Sequence, residues 1–107
     1  MASKVYVTEF QGQSVDIDRR YAPIPDASTT TTENASSPIT SSGTHAESAA
    51  FGANTTIIRV HNDSGGPICV LIGTTPVATT SNARMSSDQT EYFCVKASDK
   101  ISVIATT

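Results

Sequence analysis

Thr55-Thr-Ile-Ile-Arg-Val-His61, Ile68-Cys-Val-Leu-Ile72, Thr90-Glu-Tyr-Phe-Cys-Val-Lys96 and Lys100-Ile-Ser-Val-Ile-Ala105 decide the fold. Each is a short run of β-branched, aromatic and apolar residues, the types that fit a pleated, half-buried surface. Turn formers separate them: Asn62-Asp-Ser-Gly-Gly-Pro67, the long connection from Gly73 to Asp88, and Ala97-Ser-Asp99. Short runs bounded in this way predict an antiparallel all-β module over 54–107. Within it, Ile58 and Val60 alternate against Ile57 and Arg59. Ile68 to Ile72 is apolar throughout and reads as a central strand covered on both faces. Gly65 and Gly66 supply the backbone freedom for a tight reversal. The last two runs read as a hairpin closed at Ala97-Ser-Asp99, with Tyr92 and Cys94 on one face and Phe93 and Val95 on the other. Apolar residues on both faces require cover on both sides. The fold class is therefore all-β, a small β-sandwich or jelly-roll-like barrel.

Residues 1–20 read as N-terminal strands that join this module. Lys4 to Phe10 alternates, with Val5 and Val7 on one face and Tyr6, Thr8 and Phe10 on the other. Ser14 to Asp18 reads as a short edge strand whose Asp16 and Asp18 form a solvated face. Two carboxylates fall well short of the six or more oxygens that calcium takes. Residues 21–53 read as an extended Ser/Thr-rich arm. Pro23 and Pro25 block a helix there. From Ser28 to Ser48, 12 of 21 residues are Ser or Thr, and such a segment has little to bury. Ser48 to Ala53 reads as a plain entry to the next strand or a single helical turn. Ile24, Ile39 and Phe51 are apolar pegs along the arm, and Thr is β-prone, so parts of the arm are expected to lie as an added strand on another sheet.

The chain has 107 residues, enough for one domain. Without the arm, roughly 60 to 70 residues remain for a core, a size that often needs a disulfide, a metal or a partner. Hydrophobic residues are 37% and there is no Trp, so a partner surface is expected to complete the burial. Net charge is −3, and the basic residues cluster only at Arg19-Arg20. A basic nucleic-acid face is thereby excluded. The start, Met1-Ala-Ser-Lys-Val-Tyr-Val7, lacks a signal-peptide apolar core, and Ile68 to Ile72 is too short to span a membrane. The expectation is a chain made in the cytoplasm without a membrane anchor. Cys69 and Cys94 both lie in predicted strands. They bond if those strands are neighbours in register; the plainer reading is two reduced thiols behaving as small apolar residues.

No catalytic constellation is present. His45 lies in the arm and His61 at a strand end, neither beside a nucleophile or carboxylate at a recognisable spacing. No Gly-x-Ser-x-Gly, Walker-type, dinucleotide or His-Glu-x-x-His motif occurs. Two cysteines and two distant histidines lack zinc-ligand spacing. Gly65-Gly66 precedes no helix and is a turn rather than a phosphate cradle. No enzyme activity, cofactor or metal is expected. Asn34-Ala-Ser36, Asn54-Thr-Thr56 and Asn62-Asp-Ser64 match glycosylation acceptors by chance in a chain rich in Ser and Thr.

Three stretches carry a likeness: Lys4-Val-Tyr-Val-Thr-Glu-Phe10, Ile57-Ile-Arg-Val-His61, and Gly73-Thr-Thr-Pro-Val-Ala-Thr-Thr-Ser-Asn82 leading to Glu91-Tyr-Phe93. Together they resemble small virion structural proteins of tailed bacteriophages, and in size and form the capsid decoration, or cement, proteins. The resemblance implies a β-rich protein that binds the head exterior as a dimer or trimer and clamps adjacent major capsid subunits. Its partners would be the major capsid protein and itself, with no nucleic acid and no membrane. Its location would be the virion. On that reading Tyr21, Ile24, Ile39 and Phe51 of the arm, and Arg84 and Met85 of the long connection, are the expected partner contacts. A neck, tail or fibre-associated virion protein is the alternative, and a carbohydrate-binding β-sandwich a second.

Overall fold

A computed structural model describes residues 3–10, 13–15, 21–25, 38–53 and 55–106. Ten strands occur among them, and no helix. They are β1 (Lys4–Phe10), β2 (Gln13–Val15), β3 (Tyr21–Pro25), β4 (Ile39–Thr40), β5 (Ala46–Glu47), β6 (Ile57–Asp63), β7 (Ile68–Gly73), β8 (Ala83–Met85), β9 (Thr90–Cys94) and β10 (Lys100–Ala105). Eight of them form two four-stranded antiparallel sheets, in the orders β4-β1-β6-β9 and β5-β10-β7-β8. The remaining two, β2 and β3, pair with each other.

The all-β reading holds, and the order of strands sharpens it. Counted from β4, the first sheet runs first, eighth, third, sixth, with β1 taken as the eighth strand. The second sheet then runs second, seventh, fourth, fifth. This is the jelly-roll order of an eight-stranded double sheet, with the closing strand placed first in the chain. The two ends of the chain's strands meet accordingly. The Ser3 carbonyl accepts from Ser41 N–H at 2.8 Å, and Ala105 N–H donates to the Ser42 carbonyl at 2.7 Å.

Alternation builds the core. Val5 and Val7 of β1, with Ile58 and Val60 of β6, point inward from one sheet. Ile68 and Val70 of β7, Ile101 and Val103 of β10 and Met85 of β8 meet them from the other, and all are buried. Two polar side chains also face inward, one at each end of the sandwich. Glu9 Oε1 accepts from Gly52 N–H at 2.9 Å and Thr55 Oγ1 at 2.7 Å, which holds the segment before β6 against β1. Asn62 is fully buried. Its Nδ2 donates to the carbonyls of Gly66 (2.9 Å) and Ser86 (3.0 Å), and its Oδ1 accepts from Ser64 N–H (3.1 Å) and Oγ (2.6 Å). Gly65 takes φ +84° in the same turn, a conformation that costs other residues strain.

Two expectations are corrected. β9 and β10 do not form a hairpin: β9 pairs with β6 and β10 with β7, in opposite sheets. The Val95–Asp99 link crosses the sandwich, because a jelly roll sends most consecutive strands to different sheets. The arm does not extend to residue 53. From Ile39 onward the chain is bonded into the sandwich, β4 and β5 are two-residue edge strands, and Ser48 N–H donates to the Ile101 carbonyl at 2.9 Å. Two residues of pairing are enough because backbone bonds are joined by apolar anchors: Ile39 of β4 is buried in the core and Ala46 of β5 packs against it. Of the two readings of 48–53, the plain entry to β6 is the one observed.

Replacing Asn62 with Ala leaves partly buried backbone groups of Ser64 and Ser86 without their partner, and a buried unpaired group costs about 1–3 kcal/mol. Urea unfolding of Asn62→Ala should show a loss of at least about 2 kcal/mol. A permuted chain that joins Thr106 to Ser3 through a short Gly/Ser linker and opens within 26–37 should keep the far-ultraviolet spectrum of the parent. Collapse of that permutant would contradict the strand order given above.

Candidate functional site

The two outer faces of the sandwich are finished differently. On the second sheet, Cys69 and Leu71 of β7, Ser102 of β10, Glu47 of β5 and Arg84 of β8 point outward, as the register requires. The connection after β7 folds back over this face. Pro76 and Ala78 are buried, Ala78 N–H donates to Ser102 Oγ at 3.0 Å, and Cys69 Sγ donates to the Thr80 carbonyl at 3.6 Å. Ser102 Oγ also lies 3.3 Å from His45 Nδ1. That serine has no solvent exposure, so the pair is a packing bond rather than a nucleophile and its base.

The outer face of the first sheet carries no such strap among the described residues. Its side chains come from alternate positions of three strands. Lys4 stands opposite Asp63; Tyr6, His61 and Thr90 form the next row; Thr8, Arg59 and Tyr92 the next; Phe10, Ile57 and Cys94 the last. Three of the six aromatic residues in the chain thus share one face. Tyr92 is 49% exposed, and its ring lies 6.5 Å from that of Phe10, tilted by 46°. Aromatics flanked by a guanidinium and an imidazole are the side chains enriched where protein surfaces bind.

At one corner of this face, His61 and Asp63 project from the same side of β6, two residues apart. Asp88 reaches them from the β8–β9 connection, and a ligating atom from each of the three lies within 4.8 Å of the others. Asp88 has φ +63°. Its N–H donates to the Asn62 carbonyl at 2.8 Å, and Asn62 N–H donates to the Gln89 carbonyl at 2.9 Å, which fixes the turn against β6. His61 Nδ1 lies 2.7 Å from Thr90 Oγ1, which orients the ring.

The expected contact residues are scattered. Ile39 and Phe51 are 3% exposed and Met85 is 0% exposed, all within the core cluster. These three are corrected from partner contacts to core residues: each occupies an inward position and has no surface left to offer. Arg84 is exposed on the outer face of the second sheet. Tyr21 and Ile24 belong to β3, and their side chains lie outside the described residues, as does the Asp16–Asp18 face. Sequence reading missed the aromatic face, although Tyr6, Phe10 and Tyr92 each sat on a legible alternation. It also missed the corner: His61-x-Asp63 was visible as a same-face pair, but nothing in the sequence brings Asp88 to it. Asn62, named above as a chance glycosylation match, is buried and bonded and cannot accept a glycan.

No known protein family, no curated protein and no solved structure matches the chain. Among the described residues no helix is long and apolar enough to cross a membrane.

Cys69 and Cys94 are both free, on opposite sheets, the first buried and the second exposed. A thiol reagent added to native protein should therefore modify Cys94 quickly and leave Cys69 until denaturant is added. Rapid modification of both would mean that the 74–82 strap is not closed over the second sheet.

Proposed function

We propose that this chain is a bacteriophage capsid decoration protein, which binds the head exterior and clamps adjacent major capsid subunits. The observation that carries the reading is an asymmetry of the sandwich among the described residues: one outer face is crossed by the chain's own strap, although Leu71 and Val77 stay 37% and 55% exposed there, and the other presents Tyr6, Phe10, Arg59, His61 and Tyr92 with no strap over them. A sheet face that gathers aromatics, with no strap over it among the described residues, is suited to holding a surface. The likeness of three sequence stretches to tailed-phage virion proteins supplies the setting, and jelly rolls are a frequent architecture of capsid domains. Attachment repeated over a lattice makes individually weak contacts effective. Docking on this face would put Tyr92 and Arg59, residue types that dominate binding energy, at its centre.

The test uses phage heads that lack the protein. Purified chain added back should bind them and raise the temperature at which they release DNA. Tyr92→Asp or Arg59→Asp should weaken binding by roughly tenfold or more, the scale of a central interface residue. Val77→Asp, at a position 55% exposed on the opposite strap, should leave binding unchanged. No binding to heads, or equal losses on both faces, would refute the assignment. High copy number per particle is expected; a low count would transfer the protein to the neck, tail or fibre base.

The gathering of three aromatics on an open face also favours a second reading, a carbohydrate-binding sandwich that stacks sugar rings on Tyr92 and Tyr6. A glycan array on which Tyr92→Ala abolishes a specific signal would decide for it.

A further inference from the structure

The geometry points to a divalent transition-metal site, of the zinc class, formed by His61, Asp63 and Asp88 at the corner of the open face. This inference does not rest on the capsid reading, since it concerns an ion and the chain alone. Three observations carry it. First, the ligand set mixes an imidazole nitrogen with two carboxylates within 4.8 Å. Zinc accepts that set, whereas calcium takes oxygens alone and more of them. Second, the imidazole is already positioned. Its Nδ1 is held by Thr90 Oγ1 at 2.7 Å. When Nδ1–H donates to that hydroxyl, Nε2 keeps its lone pair for a metal, the arrangement that outer partners of ligating histidines enforce.

Third, the two carboxylates are not neutralised. Lys4 stands directly opposite Asp63 in the β1–β6 register, yet its ammonium donates to Thr40 Oγ1 at 2.7 Å. Among the described residues the ion pair present is Lys100–Glu47, on the other sheet. No basic side chain described here pairs with Asp63 or Asp88. The two carboxylates and the imidazole thus face one another on a backbone fixed at Asn62, with no basic side chain among the described residues between them.

Ligands of a tetrahedral zinc with bonds near 2.0–2.2 Å lie about 3.4 Å apart. The observed spread is at most 4.8 Å. Asp63 and Asp88 are exposed, so their carboxylates have room to turn toward the imidazole. Three protein ligands leave a coordination position open to solvent or to an oxygen of a bound partner, as in sites that keep one position free.

The test is a titration of tag-free full-length protein, stripped with chelator, against zinc chloride by calorimetry, and against cobalt(II) by its visible absorption. One equivalent should bind, and the cobalt spectrum should have the intensity of a four-coordinate nitrogen–oxygen site. His61→Ala, Asp63→Asn and Asp88→Asn should each weaken binding at least tenfold with the circular dichroism spectrum unchanged. His45→Ala, which removes the only other histidine, should not alter it. Absence of binding at millimolar zinc would overturn the site. So would binding that persists in His61→Ala or is lost in His45→Ala, because the ion would then be adventitious.

Discussion

The buried amide of Asn62 joins three parts of the chain that would otherwise be independent. It lies at an inward position of β6, where alternation would place another Ile or Val. Its oxygen gathers the turn that leads to β7, and its nitrogen reaches the carbonyls at the end of that turn and after β8. Its backbone meanwhile pairs with the entry to β9. A buried polar group is costly when unpaired and well specified when fully paired. An apolar residue here could fill the volume, but it would not fix which turn conformation follows. The exit to the second sheet and the corner containing Asp88 both inherit their positions from this one side chain. At the opposite end Glu9 does similar work for the segment that enters β6. The apolar layer between them is built mainly of Val and Ile, with Met85 and Phe51.

The outer surfaces follow from the same economy of material. A jelly roll of short strands has two faces to finish and little chain to finish them with. The 74–82 strap closes one of them with Pro76 and Ala78, and Ser102 serves as the acceptor that anchors it. Without that hydroxyl the Ala78 amide would be buried with no partner. The other face is left with half-buried aromatics over the sheet. Side chains such as Tyr and Arg tolerate this because each has an apolar body and a polar tip.

Strand identity was legible in the sequence, since β1, β6, β7, β9 and β10 each announce themselves by β-branched and aromatic runs. Pairing was not. Ala97-Ser-Asp99 is the same short polar link whether the flanking strands lie side by side or face each other across a core, so the apparent hairpin of β9 and β10 was a reading of adjacency in sequence. β4 and β5 left no signal at all, because two residues show no period. Met85 looked like an isolated surface residue within a polar run; only the pairing of Ile68 with Met85 turns it inward. Tyr6 and Tyr92 could be assigned to outward positions one strand at a time. That β1 and β9 flank the same strand, and so present one surface, is a fact of topology that no local pattern encodes.

The place of β1 has a kinetic meaning. It is the earliest strand in the chain, yet it lies between β4 and β6, with Phe10 opposite Ile57 and Lys4 opposite Asp63. Its pairing waits until a loop of some fifty residues has closed, and such closure must precede the reward of contact. During synthesis Val5 and Val7 therefore emerge long before anything exists to cover them. Folds dominated by distant pairings assemble in milliseconds to seconds rather than microseconds, and this one cannot pair its two longest strands, β1 and β6, until more than half of the chain has been made.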